Sequence, residues 1–143
     1  SMPLKDMIQN SQSNLFRIIH YPPMSWNESP TAIRAAAHED INLLTVLLAG
    51  SQPGLQVMDM DGNWHDVSCD RNTIVVNSGD MLKMVSDGYY PSTTHQVINP
   101  EPTQNVSRYS MPLFLHPRDE VVLSKNHTAG SYLKERLEEI GLK

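Results

Sequence analysis

From Gly50 to Leu123 the sequence is a succession of short apolar and β-branched runs separated by turn residues, and this pattern restricts the fold more than any other feature. The dipeptide Asp61-Gly62, a strong hairpin signal, separates two such runs. Short strands at intervals of about 8–12 residues are typical of β-sandwiches and jelly rolls. The sequence therefore predicts a mainly β domain with strands at 55–58, 64–67, 73–76, 81–85, 95–98, 107–115 and 120–123 and a turn at 77–80.

Helical patterns flank this β region. Leu4, Met7 and Ile8 recur at helical spacing, which predicts a short amphipathic helix over residues 4–15. The C-terminal segment predicts a second helix that Thr128 caps and Gly141 ends. Between the first helix and the β region the sequence predicts a strand at 15–20 and a loop at 24–32.

One proline constrains a predicted strand. Pro112 lies inside the run 107–115, and proline cannot donate to a β-ladder. We therefore expect this strand to lie at a sheet edge or to contain a bulge.

Residues 31–49 are ambiguous. Alanine and leucine dominate the segment, so intrinsic propensity favours a helix. In a helix, the side chains of His38 and Asp40 would be about 200° apart around the axis. In a strand they would share one face.

Composition restricts the partners. The net charge of -5 provides no basic surface for nucleic acid. No apolar run approaches the roughly 20 residues of a membrane span, and no apolar leader is visible. Cys69 is the single cysteine, so an internal disulfide is impossible, which suits a reducing compartment. These features predict a cytoplasmic protein with no nucleic-acid or membrane partner, and they leave the oligomeric state open.

His38, Asp40 and His95 are candidate metal ligands. Two histidines and one carboxylate on one face of Fe(II) leave coordination positions open for a cosubstrate and O2. However, 54 residues separate Asp40 from His95, and each residue alone has an ordinary alternative role as a surface or hydrogen-bonded side chain. Asn77 is a candidate for ordering the site, but a turn residue is the simpler interpretation.

The combination of motifs is more specific. His-x-Asp at 38–40, His95 and Arg-x-Ser at 108–110 form a pattern that resembles the isopenicillin N synthase-like family of Fe(II)/2-oxoglutarate-dependent oxygenases. The resemblance covers about residues 15–142. It includes the segments Gly54-Leu55-Gln56-Val57, Gly62-Asn63-Trp64, Val75-Val76-Asn77-Ser78-Gly79-Asp80 and Ser92-Thr93-Thr94-His95.

The resemblance implies a double-stranded β-helix, or jelly roll, with short flanking N- and C-terminal helices. In this fold the His-x-Asp motif lies on a strand, so residues 31–37 are expected to lead into a strand and any helix to be confined to about 30–36. The resemblance also implies a single catalytic core domain over residues 1–143 that lacks the N-terminal region of the family. Since that region normally helps wall the active site, substrate selection is not predicted.

The resemblance also implies roles for individual residues. His38, Asp40 and His95 match the iron ligands, and Arg108 and Ser110 match the pair that binds the far carboxylate of 2-oxoglutarate. A guanidinium fork suits a carboxylate because it can bind both oxygens. Tyr21 matches a tyrosine of the cosubstrate pocket, with core packing as an equal alternative.

The implied function is oxidation of a small organic substrate by hydroxylation, desaturation or cyclisation, with release of succinate and CO2. The implied cofactors are Fe(II), 2-oxoglutarate and O2, and ascorbate is compatible with the family. Two alternatives stay open. One is a 2-oxoglutarate-independent oxidase of the isopenicillin N synthase type, and the other is a jelly-roll fragment that is catalytically incomplete.

Overall fold

A computed structural model describes residues 2–25 and 32–142 of the chain. Within them the strands form two antiparallel sheets. In the first, called the major sheet, β9 pairs with β1, β2 and β4, and β4 pairs with β7. In the second, the minor sheet, the order is β3-β8-β5-β6. The strands are β1 Leu15–Phe16, β2 Ile19–Tyr21, β3 Ala35–His38, β4 Leu44–Leu48, β5 Leu55–Met58, β6 Trp64–Asp66, β7 Ile74–Ser78, β8 His95–Val97 and β9 Arg108–Leu115.

The two sheets face each other. Side chains of the major sheet, such as Leu47 and Val75, line the same internal cavity as Val57 and Val97 of the minor sheet. The prediction of a mainly β jelly roll is therefore confirmed. The predicted hairpin is also confirmed, because β5 and β6 pair across the Asp61-Gly62 turn.

The segment at 31–49 is extended over its described part, residues 32–49, which contains β3 and β4 and no helix. Strand β4 forms hydrogen bonds to β7 on one side and to β9 on the other. These ladders satisfy the backbone of β4 on both sides, and Leu47 within it is buried, so the tertiary context overrides the local propensity of the segment. The motif lies only partly on a strand: His38 is the last residue of β3, and Asp40 follows in the connection to β4.

Pro112 does not mark an edge, and that prediction was wrong. Strand β9 is internal, and Leu47 of β4 is the partner of Pro112 on one side. On the other side, the Pro112 carbonyl accepts a hydrogen bond from the backbone N–H of Arg17, at the break between β1 and β2. A backbone N–H at position 112 would also point toward Arg17. Proline lacks this N–H, and the ladder is interrupted at this point, between β1 and β2. The same break divides the strand that was predicted at 15–20.

The prediction of a strand at 81–85 was also wrong, because this segment is the helix α2, Asp80–Val85. Its side chains Met81 and Leu82 are buried in a core cluster with Leu43. Methionine, leucine and lysine are good helix formers, and five residues are too few for periodicity to distinguish helix from strand. The turn predicted at 77–80 begins later than expected, since Asn77 belongs to β7.

The flanking helices differ from their predictions mainly in length. The first, α1 (Leu4–Ile8), is shorter than the predicted 4–15. The second, α3 (Ala129–Glu139), starts at a capping box in which Thr128 and Ser131 exchange hydrogen bonds, as Thr128 predicted. Of the strand predicted at 120–123, one isolated bridge between Val122 and Thr128 forms.

Of the loop predicted at 24–32, residues 24, 25 and 32 are irregular, and residues 26–31 lie outside the described part. A short 3-10 helix, Pro102–Gln104, interrupts the loop between β8 and β9. No described helix has both the length and the apolar character needed to cross a membrane.

Candidate metal centre

The two sequence-predicted histidines come together through strand pairing. In the antiparallel pair β3–β8, His38 is the register partner of His95. Directly opposite residues have side chains on the same face of a sheet. The two imidazole rings are accordingly 4.3 Å apart between centroids and inclined at 54°.

Asp40 completes the cluster. Its Oδ1 atom lies 3.6 Å from Nε2 of His95 and 3.8 Å from Nε2 of His38. One ligand atom from each of the three residues lies within 4.8 Å of the others. Two imidazoles and one carboxylate in this arrangement form the donor set of a non-haem Fe(II) site, so the residues present fit that metal.

Backbone carbonyls orient both rings. Nδ1 of His38 is 2.7 Å from the Ala36 carbonyl oxygen, and Nδ1 of His95 is 2.9 Å from the Thr93 carbonyl oxygen. Because a carbonyl oxygen only accepts, each Nδ1 carries the hydrogen and donates. In the neutral ring Nε2 then keeps its lone pair, and in both histidines that atom faces Asp40.

The other oxygen of Asp40 is already engaged. Its Oδ2 accepts a hydrogen bond from the Thr45 hydroxyl at 2.5 Å and one from the Asn77 amide at 2.9 Å. Only 7% of Asp40 is exposed, so these donors compensate for a carboxylate that has left water. Oδ1 is thus the oxygen that faces the histidines.

Close backbone packing holds the chain around Asp40. The Asp40 carbonyl oxygen accepts a hydrogen bond from the backbone N–H of Asp80 at 2.8 Å. A Cβ atom at Gly79 would approach that same oxygen to 2.7 Å, so this approach requires glycine. The start of α2 therefore supports the loop that contains the carboxylate.

A buried cation lies at another part of the cavity wall. Arg108 is 2% exposed, and its Nε donates to the Gln52 carbonyl oxygen at 3.1 Å. Its Nη1 is buried and has no hydrogen-bond partner among the described residues. Burial lowers the pKa of the guanidinium from its ordinary value. Unpaired buried donors on a cation are costly, so this group fits an anionic ligand that supplies the missing acceptor.

Ser110 and Tyr21 lie beside this cation. Ser110 projects from β9 on the same face as Arg108 and is 7% exposed. Tyr21 is the register partner of Arg108 across β2 and β9, and its ring centroid lies 5.5 Å from the guanidinium carbon. That distance allows a cation–π interaction.

All six sequence-predicted residues line one cavity of about 90 Å³. Apolar side chains form much of the remaining wall: Ile19, Leu47, Leu55, Val57, Val75, Val97 and Phe114. Exposure differs across the cluster, since 48% of the His38 side chain is exposed against 14% for His95. The cavity is therefore closed around the arginine and open beside His38. A larger cavity of about 530 Å³, beside Arg34 and Cys69, contains none of the six.

Sequence reasoning missed some contributors. Asn77 is a strand residue whose amide donates to Asp40, so the preferred turn interpretation was wrong and the alternative, a role in ordering the site, agrees with this contact. Thr45 was not a candidate, although a polar residue inside the apolar strand β4 could have identified it. The Gln52 carbonyl gave no signal, because any residue carries a backbone oxygen.

The four other histidines lie outside the cavity lining. His20 stacks on Tyr109, His65 contacts Asp59, and His127 contacts Glu135. His116 is buried, and burial lowers its pKa.

The comparisons with known proteins agree with this geometry. A family model described as the 2OG-Fe(II) oxygenase superfamily matches residues 12–117. A flavonol synthase/flavanone 3-hydroxylase from Eustoma exaltatum subsp. russellianum is 38% identical over 104 residues, which are 72% of this chain and 29% of the relative. The 2-oxoglutarate-dependent dioxygenase citB from Monascus ruber is 34% identical over 110 residues, 74% of this chain and 32% of the relative.

Solved structures show the same likeness over more of the chain. A candidate oxygenase from Shewanella oneidensis has a TM-score of 0.86 and 59% identity, covering 100% of this chain and 53% of that one. A full-length protein from Neurospora crassa, solved in complex with alpha-KG, has a TM-score of 0.81 and 29% identity, covering 94% of this chain and 47% of that one. The chain thus spans about half of these structures and less than a third of the two curated relatives.

Proposed function

The chain belongs to the 2OG-Fe(II) oxygenase superfamily, and from that membership we propose that it is the catalytic core of an Fe(II)- and 2-oxoglutarate-dependent oxygenase. One observation carries the proposal: a candidate metal triad and a buried arginine with an unpaired donor line the same small cavity. We further propose that residues 1–143 act as one core domain.

His38, Asp40 and His95 are the proposed iron ligands. Each histidine would bind through Nε2, since a carbonyl occupies its Nδ1, and Asp40 would bind through Oδ1. When bound, Fe(II) supplies the activation of O2, so that substrate R–H, O2 and 2-oxoglutarate give R–OH, succinate and CO2 in a hydroxylation. Desaturation and cyclisation are the other outcomes of the same proposal.

Arg108 and Ser110 are the proposed partners of the far carboxylate of 2-oxoglutarate. The guanidinium supplies the unpaired Nη1 donor, and the hydroxyl of Ser110 adds a second donor from the same face of β9. Tyr21 is proposed to hold the guanidinium in place through its ring. The apolar walls exclude water, which strengthens these polar contacts.

The open side of the cavity provides the proposed access for the substrate. The cavity has a volume of about 90 Å³, and His38 is exposed at its mouth. We therefore propose that a small organic substrate approaches from the His38 side. The cytoplasm is the proposed location, which the single cysteine Cys69 supports.

The relatives favour this function over an oxidase that does not use 2-oxoglutarate. The Monascus ruber relative is named a 2-oxoglutarate-dependent dioxygenase, and the Neurospora crassa protein was solved in complex with alpha-KG. The unpaired donor of Arg108 supports the same choice, because it suits a dicarboxylate that extends away from the metal.

Anaerobic titration tests the proposal. Fe(II) and then 2-oxoglutarate are added to the purified chain while the visible absorption is recorded. We expect a weak charge-transfer band that requires both additions. His95→Ala should abolish it by removing a ligand, and Arg108→Ala should shift its appearance to higher 2-oxoglutarate concentration. His127→Ala is the matched control, because it removes a histidine that lies outside the cavity lining.

The possible outcomes separate the alternatives. Iron binding without a 2-oxoglutarate-dependent band would favour the 2-oxoglutarate-independent oxidase. Folded wild-type protein that binds no iron would contradict the function and favour the catalytically incomplete fragment. Release of succinate from 2-oxoglutarate under O2 would demonstrate turnover by this chain.

A further inference from the structure

We propose that Thr45 and Asn77 are positioning residues of the metal centre, which hold Asp40 Oδ2 so that Oδ1 is presented to the metal. This inference rests on the proposed function, since it assigns the two residues a role in the same site. Neither residue belongs to the candidate ligand cluster. Both act through Asp40.

The two donors converge on one oxygen. The Thr45 hydroxyl lies 2.5 Å from Asp40 Oδ2, and the Asn77 amide nitrogen lies 2.9 Å from the same atom. Oδ1 lies within 3.8 Å of both histidine Nε2 atoms. Oδ2 of the carboxylate therefore accepts the two hydrogen bonds, and Oδ1 faces the histidines. Rotation about the Cβ–Cγ bond of Asp40 would break both hydrogen bonds.

Both donors belong to paired strands of the major sheet. Thr45 and Asn77 are register partners across β4 and β7, so they form a cross-strand pair on the inner face of the major sheet. Strand β4 also pairs with β9, which places Thr45 in the interior of the sheet, and 3% of this residue is exposed. Asp40 lies in the connection after β3, outside both sheets, and among the described residues its backbone is held only by the hydrogen bond from Asp80 described above. Hydrogen bonds from two residues of the sheet therefore fix the orientation of a carboxylate that lies in a loop.

A third polar residue directs the Thr45 hydroxyl. The Asn42 amide nitrogen donates to Thr45 Oγ1 at 3.0 Å and to the Leu44 carbonyl oxygen at 2.8 Å. Oγ1 accepts from the Asn42 amide nitrogen, and its own hydrogen points at Asp40 Oδ2 at 2.5 Å because the other acceptor, Asn42 Oδ1, is more distant at 3.4 Å. Asn42 is 1% exposed, so water does not compete for this amide. The chain from Asn42 through Thr45 to Asp40 thus has one consistent donor direction.

The test is titration of the folded, metal-free protein with Co(II), whose visible bands report both affinity and coordination. Thr45→Val removes the hydroxyl at nearly constant volume, and Asn77→Ala removes the amide. Each is expected to weaken Co(II) binding by about 10- to 100-fold, the usual effect of removing an outer hydrogen-bond partner of a metal ligand. Each should also change the Co(II) band shape. Thr45→Ser retains the hydroxyl and should restore the wild-type spectrum.

Asn99→Ala is the matched control. Asn99 also joins two segments, through its amide nitrogen to the Ala32 carbonyl and its amide oxygen to the Arg34 backbone N–H, and it lies away from the triad. Its loss should lower the Tm of the metal-free protein and leave the Co(II) affinity unchanged.

Each variant decides the question independently, so one that fails to fold leaves the other as the test. Wild-type affinity and spectrum in a folded Thr45→Val or Asn77→Ala protein, with a Tm loss like that of Asn99→Ala, would show a merely structural role and overturn the proposal. Wild-type protein that binds no Co(II) would overturn the metal centre and the proposed function together. We expect the wild type to bind Co(II) and both variants to bind it more weakly.

Discussion

His38 and His95 lie directly opposite each other in adjacent antiparallel strands, although 56 residues separate them in the chain. Strand register alone therefore places two imidazoles on one face, with ring centroids 4.3 Å apart. The pairing leaves Asp40 just beyond the strand, where it can approach both rings at once. The candidate metal centre thus depends on β3–β8 pairing together with the support that Asp40 receives from the major sheet.

Arg108→Lys should weaken binding of 2-oxoglutarate to protein loaded with Co(II). Lysine keeps the charge and loses the planar fork, so a charge-assisted hydrogen bond of about 1.5–3 kcal/mol is lost, or about 10- to 100-fold in Kd. Ser110→Ala should have a smaller effect of about 2- to 10-fold, because it removes one neutral donor. Calorimetric titration measures both. Equal Kd values for all three proteins would remove the pair from the cosubstrate site.

Gly50→Ala should also weaken 2-oxoglutarate binding, by about tenfold. A Cβ atom at position 50 would lie 2.7 Å from Nη2 and 3.1 Å from Cζ of Arg108. Gly50 is outside the left-handed region, so the backbone accepts alanine and the guanidinium must move instead. Calorimetric titration with 2-oxoglutarate gives the shift, and the Co(II) affinity of the same variant is the internal control. Unchanged 2-oxoglutarate binding would mean that the arginine can shift without losing its function.

His116 should make stability fall as the solution becomes acidic. Burial lowers the pKa of this imidazole in the folded protein below the ordinary value of about 6.5 that applies to the unfolded chain. Below about pH 6.5 the unfolded state therefore binds a proton that the folded state binds less readily. The contribution of neutral His116 to the free energy of unfolding is fully present above that pH. It is lost as the pH falls toward the pKa of His116 in the folded protein.

Thermal unfolding between about pH 7.5 and 5.5 measures this effect. Other groups titrate in the same range, so the informative quantity is the difference between wild type and His116→Gln. We expect the variant to lose less Tm on acidification than wild type. Parallel curves for wild type and His116→Gln would show that burial does not perturb His116.

Thr128→Ala should destabilise the protein by about 1 kcal/mol, measured by urea unfolding. The Thr128 hydroxyl accepts a hydrogen bond from the Ser131 backbone N–H, and the variant leaves that N–H without its acceptor at the start of α3. Thr128→Ser retains the oxygen and should remain within a few tenths of a kcal/mol of wild type. The same loss in both variants would attribute the effect to the threonine methyl group instead of the cap.

The candidate site residues could be predicted from the sequence. His38, Asp40, His95, Arg108, Ser110 and Tyr21 were all predicted from short motifs and a family resemblance, and all six line one cavity. Residue type and i, i+2 spacing are local properties, and they determine which atoms a strand can present on one face. The hairpin at Asp61-Gly62 and the Thr128 cap were predictable for the same reason.

Tertiary structure decided the features that depend on distant partners. Whether residues 81–85 form a strand or a helix depended on the core that buries Met81, and the position of Pro112 depended on a break between β1 and β2. The support of Asp40 depended on Thr45 and Asn77, which pair only when β4 and β7 form a ladder. The sequence by itself thus determined which groups could bind a metal and a carboxylate. Pairing of strands far apart in the chain decided how those groups are held, because hydrogen-bond register and burial are properties of the assembled sheets.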